Sequence, residues 1–442
     1  MRTAVSSGHM PPWPPDPTYR KFAHQRVLTA EQRNAIITWI DNGMPRGNPA
    51  DEPPLPTFTN ESQLPVAPQE TLLTPTYRVT RGTDDYRCYV LRTQGQVTRF
   101  IRGMEMIPGN RAIVHHMLLY QDTTGTCRRL DAADPAPGYE GFGGPGTQAA
   151  ELLGGWAPGT QPQLWPLPFG SRLRPGADLV LQVHYAPGSL GLADSTRVNL
   201  LYHAPGTVVR EVYTAPILNH STSLLNGPLT IPANQFKTFK SRVNVPFDIT
   251  LLTIFPHAHL LCHDWKVYAH RQGADTVPLI RIPHWHFHWQ GTYSFQQPVA
   301  LRRGQSLEAI TGYDNTDQNP YNPNVPPRTV NEGDATTDEM MLVYFGFAAY
   351  RPGDENLIMD STLLTSNRPS KTATPWVAYT HNRHLMVKGL ATKKLTLYSV
   401  EGKRVAGATG NTLPLGNLPT GMYILQAQAI DNLTHRRRVL VE

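Results

Sequence analysis

Six potential soft-metal ligands, each in its own apolar run, constrain this chain more than any other feature of its sequence. They are His115, His116, His184, His257, His259 and Met340. The runs AIVHHMLLY, LVLQVHY, LLTIFPHAHLL and TDEMMLVYF are typical of short buried strands. Imidazole and thioether groups together favour copper over calcium or magnesium. The pattern therefore predicts a β protein with copper ligands on its strands.

Length and composition predict several mainly β domains. A chain of 442 residues exceeds the size of about 250–300 residues at which a single core stops growing. Its 41 prolines and 35 glycines, with 17% charged residues, are typical of short strands joined by tight turns. No apolar run reaches the ~18 residues of a membrane span, and MRTAVSSGHM shows no signal peptide.

The basic charge lies in the C-terminal part of the chain. Residues 370–442 hold ten Lys/Arg and three Asp/Glu, a net charge of +7, so the remaining residues together come to about −1 of the total of +6. A basic tail can indicate nucleic-acid binding, but these charges are scattered over a β pattern without an aromatic platform. Solvated strand faces explain them, and we expect no nucleic-acid partner.

The two histidine motifs differ in how a strand would present them. His115 and His116 point to opposite faces of a regular strand, so both can bind one ion only where the strand bulges or ends, or through different ring nitrogens. His257 and His259 share one face, about 6.6 Å apart along the strand. Pro256 fits only a strand start or an edge, which places this pair near a strand end.

Four motifs, taken in order, resemble the copper type II ascorbate-dependent monooxygenases, the family of peptidylglycine α-hydroxylating and dopamine β-monooxygenases. They are VHHMLLY at 114–120, LQVHY at 181–185, HAH at 257–259, and DEM followed by Tyr344. The resemblance covers roughly residues 70–365. It implies two tandem antiparallel β-sandwich domains of jelly-roll type, at 71–210 and 211–365.

The resemblance also implies two coppers per chain and a role for each. His115, His116 and His184 would hold an electron-relay copper. A solvent-filled cleft would separate it from an O2-binding copper on His257, His259 and Met340, with Tyr344 beside the substrate. The activity implied is hydroxylation of a C–H bond of a small-molecule substrate. The reductant would be ascorbate or haem-derived electrons from a cytochrome.

Other residues refine these expectations. Cys88 and Cys127 flank the first histidines as a disulfide pair does in that family, which implies a bridge formed in an oxidising compartment. Phe255 and Leu342 stand where the peptide-processing members have polar residues, which favours a less polar substrate. His284, His286 and His288 in HWHFHW would share one strand face and could form a competing metal site.

The N-terminal segment predicts one helix at about 29–42, because Thr29 and Gln32 form a capping-box pattern before an apolar stripe. Residues 1–50 resemble the end of a small cytochrome c domain, in which Met10 would be the axial haem ligand. No CxxCH motif is present, so no haem is expected here. The alternative is an ordinary helix packed on the β domain. Residues 51–70 form a proline-rich linker.

The C-terminal segment, 366–442, predicts a small β-sandwich. Its motifs LTLYSVEGKRV and LPTGMYIL resemble the C-terminal sorting domain of the bacterial type IX secretion system. That resemblance implies export by secretion machinery and a secreted or cell-surface protein. The main alternative to an enzyme is therefore an exported β-sandwich protein that binds copper or acts as an adhesin without catalysis.

Overall fold

The structure is a computed structural model, and it describes residues 1–48, 62–93, 95, 97–271, 275–359, 377–399, 403–430 and 434–441. Strands account for 46% of the structure and helices for 7%, which confirms the prediction of a mainly β protein. The chain divides into two compact units, Met1–Thr365 and Ser366–Glu442. Within the described ranges, no helix is long and apolar enough to cross a membrane. Most of the predicted linker at 51–70 lies outside these ranges.

The first half of the larger unit is a β-sandwich. Its elements are β1 (Glu70–Leu73), β2 (Tyr77–Arg78), β3 (Asp85–Arg92), β4 (Arg99–Ile107), β5 (Val114–Asp122), α3 (Thr126–Ala133), β6 (Tyr139–Glu140), β7 (Glu151–Trp156), β8 (Gln163–Leu164), β9 (Phe169–Leu173), β10 (Asp178–Tyr185), β11 (Ala193–Asp194), β12 (Arg197–Tyr202) and β13 (Arg210–Glu211). One sheet has the order β6-β3-β10-β5-β7, and the other has the order β1-β12-β4-β9-β13 with β8 beside β4. Apolar side chains from both sheets form one core.

The second half is another sandwich. Its strands are β14 (Tyr213–Asn219), β15 (Thr230–Ile231), β16 (Gln235–Asn244), β17 (Ile249–His257), β18 (Cys262–His270), β19 (Thr276–Ile282), β20 (Tyr293–Leu301), β21 (Ser306–Asn315), β22 (Val330–Asn331) and β23 (Leu342–Ala349). The two main sheets have the orders β14-β23-β17-β20 and β16-β21-β18-β19. Their facing side chains fill a second core.

Central strands position the histidines in both halves. Every residue of β10 is buried, as its continuous apolar pattern predicts, and β10 lies between β3 and β5. In the second half, β17 ends at His257, so the prediction that this pair lies near a strand end is confirmed. The predicted strand around Met340 is wrong in extent, because β23 begins at Leu342.

The predicted N-terminal helix is confirmed. Helix α2 (Ala30–Asp41) follows the short helix α1 (Arg2–Ser6), and Thr29 and Gln32 form the expected reciprocal capping box. None of its residues is buried. The segment before it packs instead on the second sandwich, where Phe22 bridges to Phe295 and stacks on its ring at 5.7 Å between centroids.

The C-terminal unit is a small antiparallel β-sandwich of its own. Its strands are β24 (Val377–His381), β25 (His384–Lys388), β26 (Thr392–Tyr398), β27 (Arg404–Thr409), β28 (Thr412–Pro414), β29 (Gly421–Ala429) and β30 (Thr434–Val441). They form sheets of order β24-β25-β28 and β27-β26-β29-β30. Leucines from both sheets form a separate core.

The expected disulfide is absent from the structure. Cys88 and Cys127 are buried free thiols in one small cluster. Their sulfurs point to different backbone carbonyls, Gly144 O at 3.7 Å and Pro145 O at 3.3 Å. Burial raises the pKa of Cys88 to about 12 and that of Cys127 to about 11, so both remain protonated near neutral pH.

A buried ion pair ties β13 to the end of the second sandwich. Arg210 Nη1 donates to Asp354 Oδ1 at 2.5 Å, and Thr250 Oγ1 donates to Asp354 Oδ2 at 2.6 Å. We expect Asp354→Asn to lower the free energy of unfolding of the larger unit by about 3–5 kcal/mol, because it leaves the guanidinium buried without its counter-charge. Urea denaturation measures this change.

The matched control is an exposed ion pair of the same unit. Arg81 and Glu140 form it with about half of each side chain exposed to solvent, and such pairs contribute under about 1 kcal/mol. Glu140→Gln should therefore leave the unfolding midpoint nearly unchanged. Equal losses in both variants would contradict the role assigned to the buried pair.

Candidate metal centre

Neighbouring strands β5 and β10 bring three of the predicted ligands together. His184 lies opposite His116, whereas the next residue of β10, Tyr185, lies opposite Val114. His115 is therefore the extra residue of a β-bulge, which turns its side chain toward the other two. The predicted distortion of the strand at this pair is present.

The histidine trio, defined as His115, His116 and His184, has the geometry of a metal site. The His116 Nδ1 atom lies 3.1 Å from His115 Nδ1 and 3.3 Å from His184 Nδ1, and the possible ligand atoms all lie within 4.8 Å of one another. Burial, followed by the neighbouring imidazoles, lowers the pKa of His115 and of His116 well below the ordinary value. Neutral rings offer nitrogen lone pairs, so the trio fits a copper ion.

Two side chains fix the ring of His184. His184 Nε2 lies 2.7 Å from Asp84 Oδ1, and the ring stacks on Tyr86 with centroids 4.1 Å apart and planes 2° apart. A proton held on Nε2 by the carboxylate leaves the Nδ1 lone pair facing His116, the arrangement found behind metal-binding histidines. Burial alone would raise the pKa of Asp84, but hydrogen bonds from His184 and Thr336 lower it to about 2.

The second set, the HxH pair of His257 and His259, is oriented in the same way. His257 Nδ1 lies 2.7 Å from Gln290 Oε1, and His259 Nδ1 lies 3.0 Å from the carbonyl oxygen of Asp338. Both partners are acceptors in these contacts, so each Nδ1 carries the proton and each Nε2 keeps its lone pair for an ion. The ring centroids lie 5.3 Å apart. Burial lowers the pKa of His257 to about 4 and that of His259 to about 3.

A buried carboxyl group joins the methionine segment to the HxH pair, and burial raises its pKa to about 8. Glu339 Oε2 accepts the backbone N–H groups of His259 at 3.0 Å and Met340 at 3.2 Å, and Oε1 accepts that of Leu261 at 2.6 Å. The hydroxyl of Tyr313 donates to the Met340 carbonyl oxygen at 2.7 Å. These bonds hold the Met340 backbone beside the HxH pair. Its thioether remains a predicted ligand.

The trio and the HxH pair are adjacent, so the expected solvent-filled cleft between them is wrong for this structure. The His116 and His257 ring centroids lie 5.8 Å apart, and Phe287 stacks on His115 at 4.3 Å. Loops of the second sandwich cause this closure. Asp84 Oδ1 accepts the Thr336 hydroxyl at 2.6 Å, so one carboxylate contacts both the trio and the loop before β23.

A small cavity of about 30 Å³ lies where the two sandwiches meet, and its lining includes His115, His116, Trp156, Phe255, His257 and Tyr344. Phe255 and Tyr344 stack at 5.6 Å with an interplanar angle of 22°. Apart from the imidazoles, the lining is mainly aromatic and aliphatic. This volume holds about one or two waters.

The HWHFHW segment is not the predicted strand. It is a turn between β19 and β20 in which Trp285 and Phe287 are buried. His284, His286 and His288 therefore do not share a strand face, although the His286 and His288 rings lie 5.7 Å apart. Met10, the residue expected to bind haem in a complete cytochrome, is 45% exposed.

Sequence reasoning missed the residues that orient the rings. Asp84 and Gln290 contact His184 and His257, and Glu339 holds the HxH backbone. Glu339 is the glutamate of the DEM motif, so the sequence could have suggested that it lies beside Met340 in the site. No sequence signal pointed to Asp84, because its contacts depend on how the two sandwiches pack.

Fold and site together define a double β-sandwich protein with a histidine-rich candidate metal centre. Residues 236–360 match the family model described as copper type II ascorbate-dependent monooxygenase, C-terminal domain. The match contains the HxH pair, Met340 and Tyr344. Among curated proteins, none has a sequence that matches this chain.

Solved structures give only weak likenesses. A Ruminococcus gnavus beta-glucuronidase has 12% identity and a TM-score of 0.13, with 47% of this chain and 35% of that chain covered. A structure of PNGF-II has 10% identity and a TM-score of 0.26, covering 63% of this chain and 65% of its own. A Lactobacillus rhamnosus beta-glucuronidase has 11% identity and a TM-score of 0.13, covering 51% and 38%.

The contacts of Asp84 generate a first prediction for this centre. Asp84→Asn should weaken copper binding by the trio by about 10–100-fold, because the carboxylate fixes the tautomer and orientation of His184. Chelator competition on the copper-loaded protein measures the change.

Thr336→Val is the matched control, because it removes the hydroxyl that donates to Asp84 Oδ1 but leaves the backbone N–H of residue 336 on Oδ2 and Asp84 on His184. It should reduce the affinity of the trio much less. If the two variants weaken copper equally, closure of the sandwiches rather than ring orientation is the function of Asp84.

The low pKa values of the HxH pair generate a second prediction. Copper competes with protons for Nε2, and both rings remain neutral until the pH falls through about 4. The copper affinity of this pair, measured in a His116→Ala variant, should change by less than about twofold between about pH 7.5 and 5.5. An imidazole with an ordinary pKa of about 6.5 would lose about tenfold at the lower pH, and a loss of that size would contradict the burial described here.

Proposed function

We propose that this protein is a copper-dependent monooxygenase that hydroxylates a C–H bond of a small, apolar substrate. The observation that carries the proposal is the pairing of two sets of buried or half-buried histidines, one within the matched residues 236–360, with their rings in contact. The balanced reaction is R–H + O2 + 2 e⁻ + 2 H⁺ → R–OH + H2O. Ascorbate, or a cytochrome that contacts this chain, would supply the two electrons.

The ligand sets suit two different tasks. Three neutral imidazoles of the trio would hold a copper that changes oxidation state without changing ligands. His257, His259 and the Met340 thioether would hold a second copper with an open position, and such a copper supplies one-electron redox chemistry and O2 binding when it is bound. Asp84, Gln290 and Glu339 keep the rings oriented.

Substrate preference follows from the lining of the cavity. Phe255 and Tyr344 form an aromatic wall beside His257, and Trp156 lines the same space. No lysine or arginine lines this cavity among the described residues, so it offers no fixed side-chain cation for a substrate carboxylate. This supports an uncharged, apolar substrate whose reacting carbon lies near His257 and Tyr344.

The C-terminal unit supports export as part of the proposal. Its small sandwich agrees with a sorting module recognised by secretion machinery, which would make the protein secreted or attached to a bacterial cell surface. An exported protein that binds or stores copper is the second candidate, because the small cavity of about 30 Å³ leaves little room for a substrate. Oxygen consumption separates the two.

The test compares Met340→Ala with the parent in copper content and in O2 uptake under ascorbate. The parent should bind two coppers tightly and consume O2 when a small apolar substrate is added. Met340→Ala should keep the copper of the trio and lose at least about 100-fold in turnover, since loss of an outer partner alone costs 10–100-fold.

Met422→Ala is the matched control. It also removes a methionine thioether, but Met422 lies in the C-terminal unit and is 48% exposed. It should match the parent in both measurements. If Met340→Ala binds two coppers and consumes O2 at the parental rate, the catalytic assignment is wrong. A parent that binds two coppers without consuming O2 supports the storage candidate.

A further inference from the structure

A line of imidazole rings runs from the protein surface to the trio. His9 and His288 are exposed and His286 is half-buried. The ring centroids are 6.2 Å apart for His9 and His286, 5.7 Å for His286 and His288, and 5.7 Å for His288 and His115. Within the trio itself the corresponding distances are 4.8–5.4 Å, so modest side-chain rotation would let neighbours in the line share an ion.

The turn that carries this line is firmly anchored. Trp285 Nε1 donates to the His259 carbonyl oxygen at 3.1 Å, and Phe287 stacks on His115. The aromatic residues Trp285 and Phe287 therefore fix the backbone of the turn. His286 lies between them and His288 follows Phe287, and both histidines reach the surface. His286 Nδ1 accepts the backbone N–H of His288 at 3.3 Å, a long contact that a bound metal ion could replace.

Such a route would give the trio an entrance besides its half-buried member, His116. His115 and His184 are 7% and 1% exposed, and the adjoining cavity of about 30 Å³ is smaller than a copper ion with its full hydration shell. At the inner end of the line, His115 Nε2 is buried and has no hydrogen-bond partner among the described residues. An ion arriving from His288 would therefore meet an available nitrogen.

We propose that His9, His286 and His288 form a third metal site, which binds Cu(I) at the surface and passes it by ligand exchange to His115. Copper keeps its oxidation state in this transfer, and one imidazole replaces another at each step. The inference rests on the proposed copper site at the trio. It adds a loading function that the catalytic reaction does not require.

The test uses the full chain without metal and Cu(I) supplied as its bicinchoninate complex. The parent should bind three equivalents, the third more weakly than the other two. The double variant His286→Ala/His288→Ala should bind two and fill the trio to the same final level. Its loading rate should fall by about tenfold or more, because a tethered donor raises the local copper concentration.

His284→Ala is the matched control, since His284 is an exposed histidine of the same turn but outside the line. It should behave as the parent in stoichiometry and rate, and the loss of visible absorbance of the Cu(I)–bicinchoninate complex in stopped flow gives the rate. Equal capacity and equal loading rate in the double variant and this control would overturn the inference.

Results in which only the stoichiometry or only the loading rate changes also test the inference. Loss of the third equivalent with an unchanged loading rate would overturn the transfer to His115. A parent in which the trio itself takes up no copper would overturn the proposed function as well. An unchanged loading rate in the double variant, with the trio still filled, would overturn this inference and leave the proposed function standing.

Discussion

The candidate centre depends on one carboxylate shared between two sandwiches. Asp84 faces His184 on one side and Thr336 on the other, so the tautomer of a trio ring and the position of the loop before β23 depend on the same group. Asp84 resists protonation because both contacts stabilise its charge. The result is a polar link between the sandwiches beside the stacked aromatic rings.

Burial has two effects that act together on the histidines. It removes the water that would stabilise a protonated imidazole, and it leaves backbone carbonyls and amides as the available partners. In the HxH pair those partners accept the Nδ1 protons, so both rings present the same nitrogen to an ion. The pair is organised for metal before any metal binds.

The sequence predicted the fold class, the capping box at Thr29 and the bulge at His115 because each depends on neighbours along the chain. It also grouped His116 with His184, which face each other across β5 and β10. The solvent-filled cleft, the strand at HWHFHW and the Cys88–Cys127 bridge were wrong, because loop packing and thiol orientation depend on contacts between distant segments. Asp84 was missed for the same reason.

The bulge in β5 has a consequence for attempts to build such centres elsewhere. Copying an adjacent pair of histidines into an unbroken strand would place one ring inside a scaffold and the other in solvent, whatever partner faced them. A transplant must carry the extra residue and the register of the neighbouring strand along with the histidines. The unit that can be moved is the bulged strand together with the neighbour that faces it, and the histidines are only one part of that unit.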